Sequence, residues 1–81
     1  MEETVIRIIS GYTSINVEDI RSDTDIIQKL EISSLDLINI INDIEEEFEV
    51  EIPFHSIRNF KTISDITAFL VQQKKWNVYQ L

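Results

Sequence analysis

Apolar side chains recur with a helical period in separate stretches of this chain, and a long unperiodic segment lies between the first two. Val5, Ile8, Ile9 and Tyr12 fall on one helix face, which predicts a first helix over residues 3–12. Gly11 lies near its expected end, where a glycine terminator is common. Residues 13–33 keep no sustained period. Ser22-Asp23-Thr24-Asp25 is a turn-like polar cluster, and Val17, Ile20, Ile26, Ile27 and Leu30 are irregularly spaced. The segment reads as a long loop pinned to the core by those five side chains. A structured loop of about 20 residues is unusual in a small domain and is often functional.

The second helix has the clearest pattern. Leu37, Ile40, Ile41, Ile44 and Phe48 draw one apolar stripe. Ser33 is a good N-cap, and Asp36, three residues on, completes a capping-box-like pair. The helix is expected to end near Glu49, because Pro53 disfavours helical backbone in the residue before it. Pro53 can open a short helical turn through about Asn59, offering Phe54, Ile57 and Phe60 to the core. Thr62 then caps a last helix with Asp65 at the capping-box position, and Ile63, Ile66, Phe69 and Leu70 form its inner face. Lys74 and Lys75 are expected in its last turn, the favourable end of the helix dipole for cations. Residues 76–81 follow as a tail for which the pattern specifies no order. The sum is an all-α fold: a small antiparallel bundle of three main helices plus one short helix, as a single domain over residues 1–81.

Size and charge narrow the function. A chain of 81 residues fits one domain. Such a chain buries only about 60% of the surface it exposes when unfolded, so its core is thin. It has no cysteine, hence no disulfide and no thiolate nucleophile, which suits a reducing compartment. No apolar run reaches the roughly 20 residues that span a bilayer, and the acidic Met1-Glu2-Glu3-Thr4 start lacks the basic region of a signal peptide. A cytoplasmic monomer is the expectation. The net charge is −8, and eight of the 15 acidic side chains lie between Glu31 and Glu51. No Lys or Arg falls between Lys29 and Arg58. That excludes nucleic acid as the natural partner and favours basic protein surfaces. The acids lack the spacing of a calcium-binding loop, leaving only loose, charge-relieving cation binding and no metal site. His55, the one histidine, reads as a surface residue of the short turn, and nothing assembles a Ser–His site around it.

Candidate chemistry is concentrated at the start of the second helix. Ser33 and Ser34 are in the first instance two helix-capping serines. A helix N-terminus also accommodates a phosphodiester, because it presents unpaired N–H groups and the positive end of the dipole. Leu35 and Ile38 lie off the core stripe, near acids, and either form a docking surface with a charged rim or pack under the long loop. Glu45, Glu46 and Glu47 sit at the unfavourable end of the dipole, a placement that supports a binding role.

Taken together, Ser34-Leu35-Asp36, the acidic helix ending Glu45-Glu46-Glu47-Phe48, the Glu51-Ile52-Pro53 exit and the Phe60-Lys61-Thr62-Ile63 entry to the last helix resemble the acyl carrier protein family. Asp19-Ile20, Asp23-Thr24 and Leu30 also sit where that family's loop has similar residues, so the resemblance covers about residues 3–72. It departs at Ser33, where the family usually has Asp, and at Glu31, where it often has Gly. The resemblance implies a carrier that is not itself an enzyme, with 4'-phosphopantetheine attached to Ser34 from coenzyme A by a phosphopantetheinyl transferase. It implies acyl cargo held as a thioester for fatty-acid or polyketide enzymes, partly sheltered between helices whose inner faces are rich in Ile. It also implies docking on basic enzyme patches through Leu35, Asp36, Ile38, Asp43, Glu45 and Glu46. Aminoacyl or D-alanyl cargo is the alternative within the class. An unmodified acidic helical adaptor is the alternative outside it.

Overall fold

The computed structural model describes the backbone of residues 1–80 and the side chains of residues 1–73. The helices are α1 (Glu2–Ser10), α2 (Ser34–Phe48), α3 (Phe54–Ile57) and α4 (Ile63–Gln80), with one 3-10 turn, Val17–Asp19, in the connection between α1 and α2. The architecture is all-α, three main helices and a short one. α1 packs against both α2 and α4. Val5, Ile6 and Ile9 of α1 meet Leu37, Ile40, Ile41 and Ile44 of α2 and Ile63, Ile66 and Leu70 of α4 in one apolar cluster. Among the described residues no polar or charged side chain is buried. Isoleucine dominates this core, although β-branched side chains lose rotamer freedom in a helix. Burial decides the outcome: each such side chain gains about 1.5–3 kcal/mol over exposure, against a few tenths lost in propensity. Phe60 and Phe69 add an edge-to-face pair with ring centroids 5.8 Å apart.

The helix ends follow from local hydrogen bonding. α1 stops at Ser10, two residues before the expected end, and Gly11 is ordinary right-handed backbone with φ −72°, so its freedom is not used. Tighter bonds close the turn instead, from the Gly11 N–H to the Ile8 carbonyl (3.2 Å) and from the Tyr12 N–H to the Ile9 carbonyl (2.9 Å). At the start of α2 the Ser33 Oγ accepts from the Asp36 N–H at 3.1 Å. The reciprocal arm of that box is missing, since the Asp36 carboxylate accepts no hydrogen bond among the described residues. α2 ends on Glu49 in the left-handed region, φ 53° and ψ 51°, with its N–H on the Glu45 carbonyl. The box at α4 is complete. The Thr62 Oγ1 accepts from the Asp65 N–H (3.3 Å), while the Asp65 Oδ2 accepts from the N–H groups of Thr62 (3.0 Å) and Lys61 (2.8 Å). The α4 backbone runs on past Lys74 and Lys75 to Gln80. Lys74 and Lys75 therefore precede the last turn of α4 instead of standing in it, and residues 76–80 continue the helix where a tail was expected, while Leu81 lies outside the described residues.

The long connection is anchored differently from the expectation. Ile20, Ile26 and Leu30 are buried, and Ile32 joins them, but Val17 and Ile27 face solvent. Backbone bonds replace those two anchors. The Ile26 N–H donates to the Lys61 carbonyl and the Ser64 N–H to the Ser22 carbonyl, both at 2.8 Å, tying the connection to the entry of α4. The Thr13 hydroxyl donates to the Leu30 carbonyl at 3.1 Å and closes the loop on itself.

Two predictions concern these ends. The backbone N–H groups of Lys61 and Thr62 stabilise the Asp65 carboxylate and, led by the Lys61 bond, hold its pKa below the usual value. The stabilisation is therefore complete above the unfolded carboxylate pKa, near pH 4, and is lost as pH falls through the lower folded value. Asp65→Ala is expected to cost about 1 kcal/mol at neutral pH. In thermal melts the gap from wild type should shrink below about pH 4; a constant gap down to acid pH would refute the assignment. Glu31 is also left-handed, with φ 54°, in a chain whose single glycine lies elsewhere. Relief of roughly 1 kcal/mol of steric cost by Glu31→Gly is expected to raise Tm by a few degrees. An unchanged or lower Tm would mean that the Glu31 side chain compensates for its backbone.

Candidate functional site

The N-terminal turns of α2 form one wall of an open cleft of ≈ 400 Å³, with α3 and the segment after it forming the other. Ser34, Leu37 and Ile38 line the first wall; Phe54, Ile57, Arg58, Phe60 and Lys61 line the second, and Ile27 of the long connection also lines the cleft. The two adjacent serines divide the work. The Ser33 hydroxyl is engaged as the cap of α2, whereas Ser34 is the first helical residue and is exposed. Its hydroxyl sits at the positive end of a helix of 15 residues, where an anion is favoured.

Phe54 corrects the sequence reading. It was expected in the core but is 70% exposed. α3 is a four-residue turn, too short to bring all its apolar side chains inward. Ile57 and Phe60 reach the core, and Phe54 at the outer end is left to line the cleft. Sequence reasoning also missed Arg58 and Lys61. The available signal was that they are the first cations after a stretch without any.

The side chains expected to form one docking set are distributed around α2. Successive residues turn by about 100°, and the buried stripe fixes the phase. Leu35, 69% exposed, and Glu46 point outward, so Leu35 does not pack under the loop. Ile38 is partly exposed on the cleft side. Asp36 is half-buried. Asp43 turns toward α1, where its Oδ2 accepts the Tyr12 O–H at 2.6 Å. That bond, followed by burial and the charges of Asp43 and Asp36, holds the Tyr12 hydroxyl above its usual pKa. Glu45 is engaged as well: its Oε2 accepts the Ile52 N–H at 2.7 Å and pins the exit from α2. Asp43 and Glu45 thus have structural partners, while Leu35 and Ile38 are exposed apolar side chains near Ser34 and Glu46 is an exposed acid toward the far end of the same helix.

His55 is exposed on α3. Among the described residues no group of three or more His, Cys, Asp or Glu side chains is arranged to hold a metal ion, and no helix is long and apolar enough to cross a membrane.

Comparison with known proteins bears on the same region. The family described as the phosphopantetheine attachment site matches residues 3–70. An acyl carrier protein of Clostridium perfringens is 32% identical over 72 residues, covering 89% of this chain and 95% of that one. One from Syntrophobacter fumaroxidans is 28% identical over 74 residues, covering 91% of each chain. The solved structure of an acyl carrier protein from Enterococcus faecalis superposes with a TM-score of 0.77 over 88% of this chain and 90% of that one, at 21% identity, a likeness of fold. The match over most of its length and the identity to curated relatives make this chain a member of the acyl carrier protein family, non-catalytic carriers with a phosphopantetheine attachment site.

Proposed function

We propose that Ser34 bears the phosphopantetheine arm and that this carrier presents acyl intermediates of the fatty-acid or polyketide type to biosynthetic enzymes. The observation that carries the reading is the division between the serines: the Ser33 Oγ is occupied by the Asp36 N–H at 3.1 Å, and the exposed Ser34 opens on the apolar cleft. When attached, the group supplies a thiol on a long arm to a chain that has no cysteine. The chain's own residues supply the rest. The N-terminus of α2 accommodates the phosphodiester charge. Ile38 and Phe54 offer an apolar wall to whatever lies in the cleft. Leu35 and Phe54 give partner enzymes an exposed apolar contact, and Asp36 in the first turn of α2 and Glu46 toward its other end give acidic contacts for basic patches on the transferase and acyl-transferring enzymes. Docking of this kind is steered by charge, so it is weak and salt-sensitive.

Intact-mass measurement after incubation with coenzyme A, Mg²⁺ and a broad-specificity phosphopantetheinyl transferase tests the attachment. Wild type and Ser33→Ala should each gain one phosphopantetheinyl group, and Ser34→Ala none. Ser33→Ala should in addition lose about 1 kcal/mol of stability with its cap. Loss of modification with Ser33→Ala alone would move the site by one residue.

The docking surface is tested by transfer rates of the loaded carrier. Glu46→Lys should slow transfer several-fold at low salt, with the defect fading as ionic strength rises and Tm unchanged. Glu45→Lys should lower Tm, because it removes the acceptor of the Ile52 N–H. Leu35→Ala should weaken transfer by roughly tenfold without a salt dependence, as for an exposed apolar anchor. Normal rates for both Glu46→Lys and Leu35→Ala would defeat this assignment of the surface.

A further inference from the structure

We propose that Arg58 and Lys61 form a phosphodiester-binding site on the wall of the cleft opposite Ser34, holding the arm along the cleft instead of leaving it free in solvent. The inference rests on attachment at Ser34. Both cations line the same cleft as Ser34, and both are exposed. They are the first cations in the chain after Lys29, across a stretch that holds eight of its 15 acids. The exposed acids of α2, Glu46 and Glu47, lie toward its far end, so the helix itself offers an anion at its start no cationic side chain. Attraction comes from the helix N-terminus on one wall and from Arg58 and Lys61 on the other.

The second wall is preorganised. The Lys61 backbone is held from both sides: its N–H donates to the Asp65 Oδ2 at 2.8 Å and its carbonyl accepts from the Ile26 N–H at 2.8 Å. The Lys61 charge also acts on Asp65, whose Oδ2 is already engaged by two backbone N–H groups. Arg58 caps the C-terminus of α3, with its N–H on the Ser56 carbonyl. Its planar fork can take two oxygens of one phosphate, and the lysine adds a point charge. Ile38 and Phe54 line the same cleft and give the part of the arm beyond the phosphate an apolar surface to follow.

The test uses the loaded protein, with loading at Ser34 verified by intact mass, and the 31P NMR signal of its phosphodiester. The forms compared are wild type, Arg58→Gln, Lys61→Gln, the double variant, the charge-conserving Arg58→Lys, and Arg7→Gln on α1 as a control for net charge. At low salt the wild-type resonance should be broader than that of the double variant and displaced from it. It should move toward the double variant's position as salt is raised. Each single neutralisation should lower the held fraction by about fivefold at most, the range for an exposed ion pair. Arg58→Lys should retain part of the displacement, and Arg7→Gln all of it. Wild-type and double-variant signals that coincide at low salt would overturn the proposal while leaving the attachment reading intact. A shift with Arg7→Gln as large as with Arg58→Gln would also overturn it, since the effect would then be one of net charge. Loading at a residue other than Ser34 would overturn both.

Discussion

The rotation of α2 about its own axis is the constraint on which the site depends. Leu37, Ile40, Ile41 and Ile44 are all buried, and exposing any one of them would forfeit about 1.5–3 kcal/mol. With that stripe fixed and each residue turned by about 100°, every other side chain on the helix has its direction assigned. Ser34 and Ile38 face the cleft, Leu35 and Glu46 face outward, and Asp43 turns toward Tyr12, just after α1. Core and site are therefore one pattern. No substitution could rotate Ser34 away from the cleft without also exposing an isoleucine.

The acids of α2 are not a uniform charged face. Asp43 receives the Tyr12 hydroxyl and braces α1 against α2. Glu45 serves twice at the other end, with its carbonyl taking the Glu49 and Val50 N–H groups and its carboxylate the Ile52 N–H. That pair of attachments turns the chain immediately after α2, ahead of Phe54, which lines the cleft. A carboxylate in the last turn of a helix is unfavourable for the dipole by a few tenths of a kcal/mol. A hydrogen bond to a charged acceptor offsets more than that. For Glu45 the local penalty therefore has a structural explanation, and only Glu46 and Glu47 remain as exposed acids whose placement the fold does not explain.

Where an element carries its own period and its own cap, the sequence was enough to place it. Ser33 at α2 and the Thr62–Asp65 box at α4 are local signals, and both helices start where those residues put them. The connection between α1 and α2 was less legible because its order comes from pairing with a segment about 40 residues away, through the Ile26–Lys61 and Ser22–Ser64 backbone bonds. Side-chain identity does not encode such bonds, so Val17 and Ile27 looked like anchors and are not. Of the candidate site, the sequence pattern offered Ser34 at a helix start and Leu35 and Ile38 off the core stripe, and the structure leaves all three exposed. The site was illegible in Phe54, Arg58 and Lys61, which share a cleft with Ser34 only because the chain turns back after Glu49. Glu31 and Glu49 show the same limit, since nothing in a glutamate announces a left-handed backbone.

The packing also bears on where a cargo would lie. The family resemblance implies partial shelter between the helices, yet their isoleucine-rich inner faces already meet: Val5, Ile9, Ile40, Ile44, Ile63 and Ile66 are each fully buried in one cluster. A chain inserted there would have to displace close-packed side chains, and cores resist the addition of even a few methylenes at about 1–3 kcal/mol. The cleft beside Ser34 needs no such displacement, because it is open and already lined by Ile38, Phe54 and Phe60. An apolar group lying in it would gain part of the burial energy while keeping one side exposed. A carrier must surrender its cargo to each partner in turn, and partial cover leaves less burial energy to recover at every transfer than full enclosure would.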